Sequence, residues 1–421
     1  MPLRGPELSE QTMQAILDLN YVRSQFPALS SAALFLDNAG GSQVLGEVTA
    51  RLTDYLTTTN VQPLQSSYPL AVRTAERLLS AQQALCSWIN ARRSDELVLG
   101  SSTTLLLHLL SQSIARTLQP GDEIIVTDCD HEANIGPWDK LRACGAVIRT
   151  WKVRPDFTLR VEDLARLLTK RTRLVCLTHC SNVFGTINPI REAAALAHAA
   201  GAQICVDGVA YAPHREIDVQ SLDVDFYALS FYKAYGPHYA LLYAKRERLL
   251  ALPGINHFFV AEDDIPYKLQ PGNANYEFTY ASAGIAHYFE NLGARLTRGT
   301  QPAANRQAAY QAIATHEEEL TRRLLGFLNQ REDVIVLGDR RPDAGVRVPT
   351  VSFVVRDRDS RTIIEKTDRA GISLRCGDMY AKRYYDAAGL SEYHGIIRAS
   401  LVHYNSIEDV EMLIEGLNEA L

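Results

Sequence analysis

The sequence predicts an α/β protein in two parts: a large domain on a mostly parallel, seven-stranded sheet covered by helices, then a smaller α+β domain at the C-terminus. Two observations carry this. Between about residues 96 and 245, apolar strand patterns alternate with helical ones, which requires crossover connections and therefore parallel strands. Beyond Gly284 the chain becomes helix-rich and ends in three strand patterns and a helix. At 421 residues and 46% hydrophobic content, the chain is long enough for one large core and a second, smaller one, and it is not disordered.

In chain order, strands are expected over 96–100, 123–128, 146–153, 173–179, 203–207, 225–230 and 239–244, each an apolar run such as Ile124-Ile125-Val126 or Ile204-Cys205-Val206. Helices are expected between them over 105–118, 138–144, 161–168 and 191–200. The second part opens on a long amphipathic stretch over 305–329. Strands over 334–337, 348–355 and 396–402 follow, and then a last helix over 407–421. The expected division is an N-terminal helical segment, 1–34, packed with the small domain; a large domain, 35–284; and a small domain, 285–421. There are no repeats or low-complexity segments.

Net charge is −6 with no basic run, which argues against nucleic acid as a partner. The start, Met1-Pro2-Leu3-Arg4-Gly5, lacks a signal-peptide core, and no apolar stretch is long enough to span a bilayer, so a cytoplasmic protein is expected. Seven scattered cysteines (Cys86, Cys129, Cys144, Cys176, Cys180, Cys205, Cys376) argue against a disulfide framework. Cys176, His179 and Cys180 have a metal-like spacing, but Cys176 lies in an apolar strand and no second cysteine pair exists, so no metal is expected. The absence of G-x-G-x-x-G and Walker A patterns leaves nicotinamide and nucleoside triphosphate readings without their signals.

Ligands of such sheets bind beyond the carboxyl ends of the strands. There the chain offers an ordered series. Ser101-Ser102-Thr103-Thr104 opens a helix, where free N–H groups, the positive helix end and hydroxyls make a phosphate seat. His131, in Asp130-His131-Glu132-Ala133-Asn134, offers a flat ring to stack on a flat cofactor. Asn182 offers an amide to a ring hydroxyl or a substrate carboxylate. Asp207 ends an apolar strand, and Lys233 follows the next one in Ser230-Phe231-Tyr232-Lys233-Ala234-Tyr235-Gly236. A lysine about 26 residues after a strand-ending acid suggests a pyridoxal 5′-phosphate (PLP) site: the lysine holds the aldehyde and moves protons, and the aspartate keeps the pyridine nitrogen protonated.

The chain resembles the class V aminotransferase group of fold-type I PLP enzymes, and within it the cysteine desulfurase-like proteins. The matching segments are Phe35-Leu36-Asp37-Asn38-Ala39-Gly40, Ser102-Thr103-Thr104, Asp130 to Asn134, Ser181-Asn182-Val183-Phe184-Gly185-Thr186, Val206-Asp207-Gly208, the lysine segment and Ile397-Arg398-Ala399-Ser400. The resemblance implies that Lys233 carries the cofactor, Asp207 partners its ring nitrogen, His131 stacks on it and Asn182 contacts its hydroxyl side. It further implies phosphate contacts from Thr103, Thr104 and Ser230, with Ser102 and Tyr232 nearby. Asn273, in Gly272-Asn273-Ala274-Asn275, would complete the neighbouring subunit's pocket in a homodimer with shared active sites. Arg398 would hold the substrate α-carboxylate as a bidentate fork, with Asn38, Asn182 and Tyr380 beside the substrate. Tyr68 is a further lining candidate.

The departures bear on function. Ala210 stands where desulfurases carry glutamine, Tyr232 where they carry histidine, Asn273 where they carry threonine, and Tyr380 where they carry the sulfur-accepting cysteine. Cys376 lies four residues before Tyr380. The reading is a PLP enzyme that cleaves a carbon–sulfur bond of an amino acid, by β-elimination or, if Cys376 reaches the substrate, by desulfuration to that thiol. A sulfur-accepting partner protein has no support in the sequence. The alternatives are an aminotransferase, epimerase or decarboxylating enzyme of specialised metabolism, and a non-catalytic scaffold, against which the joint presence of Lys233, Asp207, His131 and Arg398 speaks.

Overall fold

The computed structural model describes residues 17–30, 34–63 and 66–421. Residues 1–16 of the expected N-terminal helical segment lie outside them. The described remainder of that segment includes the helix Leu19–Ser24, whose Arg23 donates to the Tyr404 carbonyl at 2.9 Å.

Among the described residues there are thirteen strands: β1 Leu34–Phe35, β2 Leu97–Gly100, β3 Glu123–Thr127, β4 Val147–Trp151, β5 Thr172–Thr178, β6 Gln203–Asp207, β7 Phe226–Ser230, β8 Ala240–Ala244, β9 Val334–Leu337, β10 Thr350–Val355, β11 Ile372–Ser373, β12 Arg375–Gly377 and β13 Ile396–Ser400. Seven form one sheet in the order β2-β8-β7-β6-β5-β3-β4. β8 is antiparallel to both its neighbours and the other pairings are parallel. The carboxyl ends of β2, β3, β5, β6 and β7 therefore share one edge.

These strands are apolar on both faces because both are covered. Val175, Leu177, Ile204 and Val206 enter one core, while Leu174, Cys176 and Cys205 enter the other, beneath Leu106, Leu107 and Leu110 of the helix Thr103–Ala115. Burying each such Leu, Val or Ile is worth about 1.5–3 kcal/mol.

β12, β13, β10 and β9 form a second, antiparallel sheet over a core that includes Leu320, Leu324 and Leu328 of the helix Pro302–Asn329. The pair β1–β11 and a bridge from Asp37 to Ser400 tie the segment after residue 34 to this sheet, although the sequence placed it with the large domain. Gly284, the expected domain boundary, lies inside the continuous helix Tyr276–Thr297.

Two sets of contacts fasten the second sheet to the first. Three successive carbonyls of the loop after β5 accept from it or from the segment just before β10: Asn182 O from Arg398 Nη1 at 3.0 Å, Val183 O from Ser352 Oγ at 2.6 Å, and Phe184 O from Arg347 Nη2 at 3.3 Å. Gly185 permits this approach. Its φ is +71° and an added Cβ would stand 2.5 Å from the Thr350 carbonyl. Lower down, the fully buried Glu317 of the long helix accepts from Arg215 Nη1 at 2.6 Å and pairs with His214 Nδ1 at 2.8 Å.

Candidate active site

One cavity at the shared strand edge is lined by Ser102, Thr103, Thr104, His131, Asn182, Asp207, Ser230, Tyr232 and Lys233, together with Ala133, Thr178, Val209 and Ala210. Nine sequence-expected residues thus meet although they span 131 positions, because they lie at or just after the carboxyl ends of five strands of one sheet, β2, β3, β5, β6 and β7.

Lys233 ends the short 3₁₀ turn Phe231–Lys233 after β7. Burial and the positive Arg398 lower its amine to about 8, while Asp207 opposes the shift. Asp207 ends β6 beside it. Its Oδ1 accepts from Val209 N–H at 2.9 Å, and burial raises its carboxyl above the ordinary range, opposed by that bond and by Lys233.

The His131 Nδ1 accepts from Ala133 N–H at 3.0 Å, which leaves its proton on Nε2. Burial lowers its pKa to about 3, helped by the charges of Lys233 and Arg398, so the ring is neutral at ordinary pH. The ring of Tyr380 stacks on it, with centroids 5.1 Å apart and planes at 24°. The loop that carries Tyr380 is held down by Glu132 N–H on Tyr380 O and by Asn182 Nδ2 on Met379 O, both at 2.8 Å. Met379 and Tyr380 have positive φ values of 54° and 57°, and Asp378 Oδ1 accepts from Tyr380 N–H within the turn. The Asn182 amide therefore already serves the loop.

Ser102 caps the helix Thr103–Ala115 by accepting from Leu105 N–H at 3.1 Å, and its own hydroxyl proton stays free to donate. The hydroxyls of Thr103 and Ser230 are buried and have no hydrogen-bond partner among the described residues. Two stranded donors at a helix N-terminus fit a phosphate group, whose oxygens would relieve both.

Arg398 rises from β13 and is 2% exposed. Besides Asn182 O it reaches Asp37 Oδ1 at 3.2 Å, and its Nε is buried without a partner among the described residues. Arg375 of β12 also grips Asp37, with Nε 2.8 Å from Oδ2. Neither Asp37 nor Arg375 is singled out by the sequence, although Asp37 lies in the segment Phe35-Leu36-Asp37-Asn38 and Arg375 directly precedes Cys376.

Several expected residues stand elsewhere. Asn38 does not face the cavity: its Nδ2 donates to Ser400 O and Asn405 Oδ1, and Tyr404 donates to its Oδ1, so the whole amide is engaged in joining segments. Asn273 sits on an exposed turn with φ +76° and is not among the residues lining this cavity, and Tyr68 is 47% exposed. Cys376 lies on β12 beside Arg375, so the pleat turns its side chain to the opposite face. Its Sγ is 3.9 Å from His394 O, and burial raises its pKa. The His179 ring, from the metal-like cluster, pairs with Tyr227 OH at 2.9 Å and stacks on Tyr211.

The sequence profile described as aminotransferase class-V matches residues 34–413. The chain belongs to the class V aminotransferase family. Members of this family are PLP-dependent enzymes, and this chain is one by that membership. The aminotransferase-like protein FGM3 of Gibberella zeae is 42% identical to it over 95% of this chain and 98% of its own. The cysteine desulfurase-like protein ustD of Aspergillus flavus is 32% identical over 99% and 94%. The solved structure of the cysteine desulfurase CsdA from Escherichia coli superposes with a TM-score of 0.81 at 27% identity, covering 96% of this chain and 98% of that one. The class V assignment also fixes the fold as that of fold-type I PLP enzymes. No helix among the described residues is long and apolar enough to cross a membrane.

Proposed function

We propose that Lys233 carries PLP in this cavity and that the enzyme cleaves the Cβ–sulfur bond of a cysteine or cysteine conjugate by elimination, with no thiol of its own in the reaction. The observation that supports the outcome is the placement of Tyr380 and Cys376. An aromatic ring covers His131 where desulfurases present a cysteine, and the Cys376 thiol, four residues earlier, points away with a raised pKa.

When bound, PLP supplies an electron sink for the pair left at Cα. The protein's part follows from its geometry. Thr103, Thr104, Ser102 and Ser230 would hold the phosphate with the helix N–H groups. Asp207 would stay ionised against a protonated ring nitrogen, and the neutral His131 would cover one ring face. Ala210 leaves the ring oxygen without a side-chain amide partner at that position. Arg398 would take the substrate carboxylate through its free Nε. Lys233 Nζ, a free base above about pH 8, would remove the α-proton and hold it.

The wider proposal is a cytosolic homodimer. The homodimer is supported by the exposure of Gly272 and Asn273, which leaves that turn free to reach a neighbouring subunit. A second reading, transamination, is favoured by the name of the 42% identical relative. Incubation with cysteine and S-substituted cysteines decides between them. Elimination gives pyruvate and a free thiol or sulfide, whereas transamination gives a keto acid and aminated cofactor. A purified protein without a visible absorbance band that Lys233→Ala abolishes sinks both.

A further inference from the structure

Arg398 and Arg375 are direct Cα partners across the antiparallel pair β12–β13, so their side chains leave the same face of the sheet. Like charges placed so repel unless an anion lies between them. Asp37 is that anion: Arg375 Nε reaches both its oxygens at 2.8 and 2.9 Å, while Arg398 Nη2 reaches Oδ1 at 3.2 Å. A Cβ on Gly40 would stand 2.8 Å from Arg375 Nη2 and 2.8 Å from Asp37 Oδ2, so a side chain there would push on the ion pair. Arg375 therefore leaves the same sheet face as Arg398 but is already matched in charge.

We propose that Asp37 is a specificity-determining residue. By neutralising Arg375 it leaves a single guanidinium, Arg398, to receive the α-carboxylate, and the enzyme therefore selects α-amino acids with an uncharged side chain over dicarboxylic ones. The uncharged rings of Tyr232, which lines the cavity, and Tyr380, stacked on His131, agree with such a side chain. The proposal rests on Arg398 as the carboxylate anchor of a PLP-loaded site.

The test measures the affinities of L-alanine and L-aspartate for PLP-loaded enzyme from the shift each causes in the visible absorbance band. The unmodified enzyme is expected to bind alanine more tightly than aspartate. Asp37→Asn frees Arg375 and is expected to move the ratio toward aspartate by about tenfold, the worth of one hydrogen-bonded charge. Adding Arg375→Gln to that variant removes the freed cation and returns the ratio to within about twofold of the original, a rescue that a merely structural Asp37 does not give. An unchanged ratio in Asp37→Asn, or no return in the double variant, overturns the proposal. Should Asp37→Asn not fold, Arg375→Gln alone decides. It leaves Asp37 to Arg398, so both amino acids are expected to bind about tenfold more weakly, and unchanged affinities overturn the proposal. An unmodified enzyme with no visible band overturns the PLP reading itself and this inference with it.

Discussion

Lys233 shows how one side chain is tuned by its surroundings. An exposed lysine is protonated at neutral pH and unable to attack an aldehyde, whereas burial and Arg398 bring this one to about 8. The sign is direct: below that value the amine is charged and inert, above it the amine is free. Capture of PLP by cofactor-free enzyme, followed by absorbance, is expected to speed up about tenfold per pH unit up to pH 8 and to level off beyond. A rate that is flat between pH 6 and 9 contradicts the assignment. That Asp207 and Lys233 meet in one cavity was legible in the sequence, because one ends an apolar strand and the other follows the next; the lowering of the Lys233 amine by Arg398 was not. The state of Asn182 was not, since its amide is taken by Met379, 197 positions away.

Among the elements, the helix Thr103–Ala115 and the strand β12 carry the clearest consequences. Thr103→Val and Ser230→Ala each remove one stranded donor from the helix mouth, and each is expected to loosen PLP by about tenfold in a dissociation assay, charged acceptors making the stronger hydrogen bonds. If Cys376 faces away as the pleat of β12 requires, Cys376→Ser should leave turnover within about twofold. Alkylation of the folded enzyme read by mass spectrometry should spare it and modify the exposed Cys144 instead. Loss of activity in that variant restores the persulfide mechanism. The strands over 203–207 and 334–337 appear as expected, because each is built on a short run of consecutive apolar residues, Ile204-Cys205-Val206 and Val334-Ile335-Val336-Leu337. The helices Gly46–Thr58 and Pro69–Trp88 were not anticipated. The buried stripe of the second includes Ala71, Thr74 and Ala81, small or polar residues that blur the apolar periodicity. Nor was the Asp37–Arg375 pair legible, for it joins positions 338 apart through a two-residue strand pairing, β1–β11, that leaves no pattern of its own.

At the scale of the whole molecule, the two sheets are joined by polar contacts that sequence patterns do not announce. Glu317 is the deepest of these. Glu317→Ala leaves Arg215 buried without its carboxylate and is expected to cost about 3–5 kcal/mol in urea unfolding, against under about 1 kcal/mol for an exposed pair such as Arg322–Glu318. The carbonyls of Asn182, Val183 and Phe184 bind the arm that bears Arg398 to the loop that borders the cofactor cavity. With that seam already closed before any amino acid arrives, docking needs no clamshell movement. The observed association rate, followed by stopped-flow absorbance, is therefore expected to climb in proportion to amino-acid concentration and not to saturate at a ceiling set by closure.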